Sequence, residues 1–260
     1  MHKLVRSVGI MSAAVAFGAG SALVAPMAGA QGSSFLGSLA PDTCGESIVT
    51  PSGLADAGWG TPGDETPAEI AAVEDAGEAV GDAALTFGAP ATGKPGVSLY
   101  KNGNDAPLSS LIVNDKPINM SYDYVASAAG PALQIRILGA NLYGVEEDNI
   151  GFATIVHEPA NSDGTWKTAK PGEGDEFWVT RAIEGVDGEE IDRYTMMSLE
   201  EIVALNPEAT ISAYGVNKSN SNPSTDVAVD NFTFDCEVTD FELDPEDGGL
   251  FGSVTGIFQS

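Results

Sequence analysis

The side chains able to do chemistry in this chain are mostly carboxylates: 38 Asp and Glu stand against 11 Lys and Arg in 260 residues. Paired carboxylates carry out glycoside hydrolysis, one as acid and the other as base or nucleophile. Among so many acids a pair means nothing unless a strand or helix aligns it. One string, Glu242-Leu243-Asp244-Pro245-Glu246, has alternating acids. Pro245 would interrupt the ladder of a central strand, so the string reads as linker. His157 and His2 are the two histidines. As a general base, His157 would need a hydroxyl or thiol on one side and a carboxylate on the other, and no G-x-S-x-G elbow accompanies it. One histidine in the mature chain also rules out a multi-histidine zinc site. Phosphate loops, dinucleotide fingerprints and EF-hand loops are missing from the sequence. The expectation is a protein without catalysis, a glycosidase or lyase with unrecognised acids being an alternative.

Aromatic rings are the other chemistry on offer, because they stack on the CH-rich faces of sugars. Trp166, Trp178 and Tyr214 are the candidate ligand-binding residues, with Trp59 beside them. Core packing competes for each. Trp178 lies between Phe177 and Val179, so on a strand it faces away from both.

The chain that positions these residues begins with an export signal. Lys3 and Arg6 precede an uncharged small and apolar run, Val8 to Val24, and Ala28-Gly29-Ala30 offers a cleavage site. Residues 1–30 read as a signal peptide, which places the mature chain outside the cell or in the envelope. No second run is long enough to span a membrane. Removing Lys3 and Arg6 takes the basic residues from 11 to 9 against 38 acids, a mature net charge of −29. Such a chain repels phosphate backbones, so nucleic acid is excluded as a partner. Cys44 and Cys236 are the only cysteines. In an exported protein they most simply pair as a disulfide, with two free thiols as the alternative.

Residues 31–54 read as a flexible N-terminal segment. Residues 55–240 form the expected domain, and 241–260 an acidic linker with an apolar tail. Thr66, Pro67 and Glu69 carry the signature of a short helix start. From Asp82 onward short β-rich runs follow one another, among them Ala83–Phe87, Val97–Lys101, Leu108–Val113, Ile118–Val125, Ala132–Gly139 and Thr210–Val216. Met120, Tyr122 and Tyr124 alternate with Ser121 and Asp123; Leu133, Ile135 and Ile137 alternate with Gln134 and Arg136. This pattern predicts an all-β protein, a jelly-roll-type antiparallel β-sandwich. One short helix sits in a loop at Ser198–Leu205, capped by Ser198 and Glu201 and stopped by Asn206-Pro207. In Val227–Phe234 the apolar phase slips at Asp230-Asn231, which predicts a bulge.

Several stretches resemble jelly-roll modules of secreted bacterial proteins, the galactose-binding-like and concanavalin-like sandwiches that include carbohydrate-binding modules. They are Gly81–Phe87, Met120-Ser121-Tyr122-Asp123-Tyr124, Gly164-Thr165-Trp166 and the closing Val229-Asp230-Asn231-Phe232-Thr233-Phe234, within residues 55–236. The resemblance implies a structural Ca²⁺ held by Asp230, with Glu65 or Glu69 as its partner near the domain start. The sandwich pattern and the missing catalytic constellation lead to the expectation of a secreted or envelope-associated binding module, with an extracellular glycan or envelope polymer as its partner. An interaction or scaffold protein, docking through a sheet face or the apolar tip, is the rival expectation.

Overall fold

Met120, Tyr122 and Tyr124 are buried while Ser121, Asp123 and Val125 are only partly covered, so the alternation in the sequence is that of a strand with one face on the core. Leu133, Ile135 and Ile137 repeat the pattern on the opposing sheet. The computed structural model describes residues 45–73, 80–145 and 151–245. The expected signal peptide, the segment through Cys44 and the apolar tail lie outside the described residues.

Among the described residues, fourteen strands make two seven-stranded sheets, beside two small hairpins. In chain order they are β1 (Gly45–Val49), β2 (Trp59–Gly60), β3 (Thr66–Pro67), β4 (Glu69–Ala72), β5 (Ala83–Thr86), β6 (Gly96–Pro107), β7 (Met120–Val125), β8 (Ala132–Leu138), β9 (Ala153–His157), β10 (Lys167–Ala169), β11 (Trp178–Val179), β12 (Thr210–Ser219), β13 (Ala228–Phe234) and β14 (Glu237–Phe241). Eight of these carry the fold. One sheet runs β5–β13–β7–β10 and the other β6–β12–β8–β9, all antiparallel. First thus pairs with last, second with seventh, third with sixth and fourth with fifth. That is one long antiparallel ribbon wound into two sheets, the jelly-roll path. The protein is an all-β sandwich, as its alternation predicts.

The remaining strands extend the sheets: β4 flanks β5, β11 flanks β9, and β2 and β3 both lie along β6. Two pairings, β1 with β14 and β3 with β6, are parallel, so the sandwich is not antiparallel throughout. Three expectations fail here. Residues 45–49 of the segment expected to be flexible form β1, held by the ladder to β14, and the domain therefore starts before residue 55. The helix start expected at Thr66 is instead β3 and β4. Pro67 contributes no N–H, which suits a two-residue edge strand, and Glu69–Ala72 pairs with Ala83–Thr86. Leu108–Leu111, expected as strand, is a 3₁₀ turn with Leu108 and Leu111 buried.

The slip in β13 is a bulge. Its register to β7 shifts between Asp230 and Thr233, and Asn231 has φ 51°. The extra residue lets Val229 and Phe232 both face the core. Trp59 stands edge-on to Phe232 and Phe241, with ring centroids 5.5 and 5.4 Å away, and Tyr122 stacks on Phe232. Trp59 is therefore a core residue.

Helix α1 (Leu199–Leu205) has the expected capping box. The Glu201 N–H donates to Ser198 Oγ at 3.2 Å, and the Ser198 N–H donates to the Glu201 carboxylate at 2.9 Å. Ser198→Ala should cost about 1 kcal/mol, read as a lowered urea midpoint with an unchanged slope.

Candidate functional site

At one end of the first sheet the chain leaves β5, leaves β7, and enters β10 and β13. The loops around these points enclose an open cleft of about 560 Å³. Trp166, just before β10, forms one wall; Phe87, Val125 and Ala228 form the apolar floor, and Thr86, Thr225 and Asp226 bring polar groups to the rim. Trp166 is half-buried and packs against the small satellite core of Val80, Ala84 and Ala228. The cleft thus combines an aromatic face with a hydroxyl and a carboxylate.

The loops are tied to each other rather than loosely apposed. The Ser224 hydroxyl donates to the Ala129 carbonyl at 2.8 Å and accepts the Ala128 N–H at 3.1 Å. Asn222 Nδ2 donates to the carbonyls of Ala129 and Gly130. On the other side, the N–H groups of Ser162 and Gly164 donate to the carbonyls of Ala128 and Ala126. Asp163 accepts from the backbone and hydroxyl of Thr165, which holds its carboxyl below the usual range, helped by Lys167. The Thr225 hydroxyl donates to Asp226 at 3.0 Å. A site fixed this way gives up little conformational freedom on binding.

Trp178 resolves as an outward residue: Phe177 and Val179 are buried, and Trp178 is half-buried on the outer face against Tyr194, ring centroids 4.7 Å apart. Tyr214 is placed differently. Its ring lies parallel to Phe234 at 3.7 Å and also meets Phe232, so it packs at the core edge. Burial, with Glu237 and Asp235 nearby, pushes its hydroxyl pKa well up. Trp166, Trp178 and Tyr214 therefore occupy separate places.

The acids expected at a Ca²⁺ site are not brought together. Glu65 lies over the outer face of the second sheet. It accepts from Arg136 Nη1 at 3.2 Å, from Asn217 Nδ2 at 2.9 Å and from the Tyr100 hydroxyl at 3.5 Å. Glu69 is exposed on β4. Asp230 is fully buried; its Oδ1 accepts the Phe241 N–H at 2.8 Å and its Oδ2 has no hydrogen-bond partner. Burial first, then Asp240 and Glu242, pushes its pKa up to about 7, against the backbone N–H groups of Phe241 and Asn231. Among the described residues no group of three His, Cys, Asp or Glu side chains could hold a metal ion. Glu65, Glu69 and Asp230 do not fit that ion as a set.

Catalytic geometry is likewise not assembled around His157. Its ring packs on Phe177, its Nδ1 is buried without a hydrogen-bond partner, and burial lowers its pKa, with Asp175 acting the other way. Glu242 and Asp244 follow β14 rather than sharing a strand face: the Glu242 N–H bonds the Val49 carbonyl, and Asp244 accepts from Ser52. The first residues of the expected linker thus belong to the folded body. Thr225, Asp226 and Tyr194 are not among the candidate residues named from the sequence. Among the described residues no helix is long and apolar enough to cross a membrane. No protein family, no curated protein and no solved structure matches this chain.

Proposed function

We propose that the mature protein is a non-catalytic binding module, exported to the cell surface or beyond, whose Trp166 cleft takes a glycan or envelope polymer. The observation that carries this reading is the cleft itself: a pre-tied pocket with an aromatic wall, an apolar floor and the Thr225–Asp226 pair at its rim. The Trp166 ring supplies a stacking face for the CH side of a pyranose, and Asp226 and Thr225 supply partners for its hydroxyls. Concave sites of this size and composition suit small ligands or single units of a polymer. The jelly-roll path agrees with it.

A glycan array and an envelope-polymer pull-down test the reading. At least one saccharide should be retained by the wild type, and Trp166→Ala should weaken that binding about tenfold or more, in line with the loss of one stacking contact. No retained saccharide would end the proposal. Loss of surface retention on deleting residues 246–260, with no saccharide binding, would move the function to protein docking.

A further inference from the structure

We infer that the outer face at β11 is a second saccharide-binding surface, built by Trp178, Tyr194 and Arg193 and suited to a sugar carrying a carboxylate. Strand β11 is an edge strand, paired only with β9. Its alternation buries Phe177 and Val179 and turns Trp178 outward. The returning chain is fixed beside it: Phe177 and Met197 exchange N–H···O bonds of 2.8 Å, and the Tyr194 N–H donates to the Val179 carbonyl at 3.3 Å. Tyr194 and Trp178 therefore form a fixed pair, 4.7 Å apart and tilted by 57°.

The backbone of Tyr194 marks the pair as more than incidental. Its φ is 68°, and the other non-glycine residues with positive φ among the described residues are all Asn or Asp. Those two types tolerate the left-handed region; a bulky aromatic there is strained. Burial does not offset the strain, because Tyr194 is 55% exposed. Strain held at an exposed ring is a pattern of binding sites. Arg193 lies with its guanidinium 5.0 Å from the Tyr194 ring and makes no ion pair among the described residues. A displayed, unneutralised guanidinium in so acidic a protein is poised for a carboxylate, which its planar fork can hold by two hydrogen bonds. The long-range repulsion of the remaining charge is screened beyond about 8–10 Å at physiological salt.

The probe is a galacturonic acid oligomer, compared with a neutral glucose oligomer of equal length by isothermal titration. The wild type should bind the acidic oligomer at least tenfold more tightly. Arg193→Gln should erase that preference, and Trp178→Ala should lose binding of both. Tyr194→Gly should lose binding while melting no lower than the wild type, because glycine relieves the strained backbone; a purely structural tyrosine would melt lower. Trp166→Ala should leave acidic-oligomer binding unchanged, which separates this surface from the cleft. Equal binding of the two oligomers, no binding of the acidic one, or its loss in Trp166→Ala would overturn the inference.

Discussion

Between pH 5 and pH 8 the wild-type protein should lose roughly 2–3 kcal/mol of stability relative to Asp230→Asn. The sign follows from the carboxyl's position. Asp230 is sealed at the β13 bulge, and burial lifts its pKa from 3.8 to about 7. An acid with a raised folded pKa binds more protons folded than unfolded. Its contribution is therefore complete at low pH and is lost as the pH climbs from the unfolded value through the folded one. Asp240 and Glu242 are raised as well, by their own desolvation and, respectively, by Glu46 and by Asp240 with Asp82. They add slope of the same sign. His157 works oppositely below its usual value, since burial lowers its pKa. These contributions are shared by both proteins and cancel in the difference.

Asn at this position keeps an oxygen for the Phe241 N–H and removes the charge, so urea unfolding from pH 5 to 8 isolates the effect. A constant difference between the two proteins would show that Asp230 ionises normally. A Ca²⁺-dependent rise in melting temperature that disappears in Asp230→Asn would instead restore the cation role expected from the sequence.

The second large effect concerns the cysteines. The Gly45 N–H donates to the Cys236 carbonyl at 2.9 Å, and Gly45 pairs with Glu237 in the parallel β1–β14 ladder. Cys44 directly precedes Gly45 in the sequence. No described cysteine is free. On this basis we expect a Cys44–Cys236 bond closing nearly the whole domain. In the chain-entropy description so long a loop is worth about 5 kcal/mol. Reduction should lower the melting temperature by roughly 10–20 °C for a domain of this size. Cys44→Ser/Cys236→Ser should melt like the reduced wild type and be indifferent to reductant. Alkylation of the unfolded wild type without reductant should add nothing; labelling of both thiols would contradict the bond.

Much of this architecture is legible in local pattern. Strands β7 and β8 alternate because one face of each meets the core. The Asp230-Asn231 slip marks the bulge because Val229 and Phe232 cannot otherwise share a face. Ser198 and Glu201 announce α1 by side-chain chemistry that needs no distant partner. Where pairing is remote, the sequence misleads. Thr66, Pro67 and Glu69 have the types of a helix start, yet the ladder from Glu69–Ala72 to Ala83–Thr86 and the contact of Thr66 with Val97 decide the outcome. Phe241, the last residue of β14, reads as the start of the linker because Asp240, Glu242 and Asp244 surround it, and it is buried only once β14 lies beside β13. The site was half visible. Trp166 and Trp178 could be named by type, but Thr225, Asp226 and Tyr194 gain their places from loop closure and a strained backbone, which no local pattern encodes.

The central claim is that the Trp166 cleft holds a saccharide, and its most direct test is calorimetric titration with the tightest-binding neutral saccharide from the array. Wild type, Trp166→Ala and Tyr214→Phe should be compared at one pH and salt. Trp166→Ala should lose about tenfold or more in affinity at unchanged secondary structure, while Tyr214→Phe, altered only at the core edge, should match the wild type. Affinity unchanged in a folded Trp166→Ala would contradict the claim and remove the cleft as the binding site.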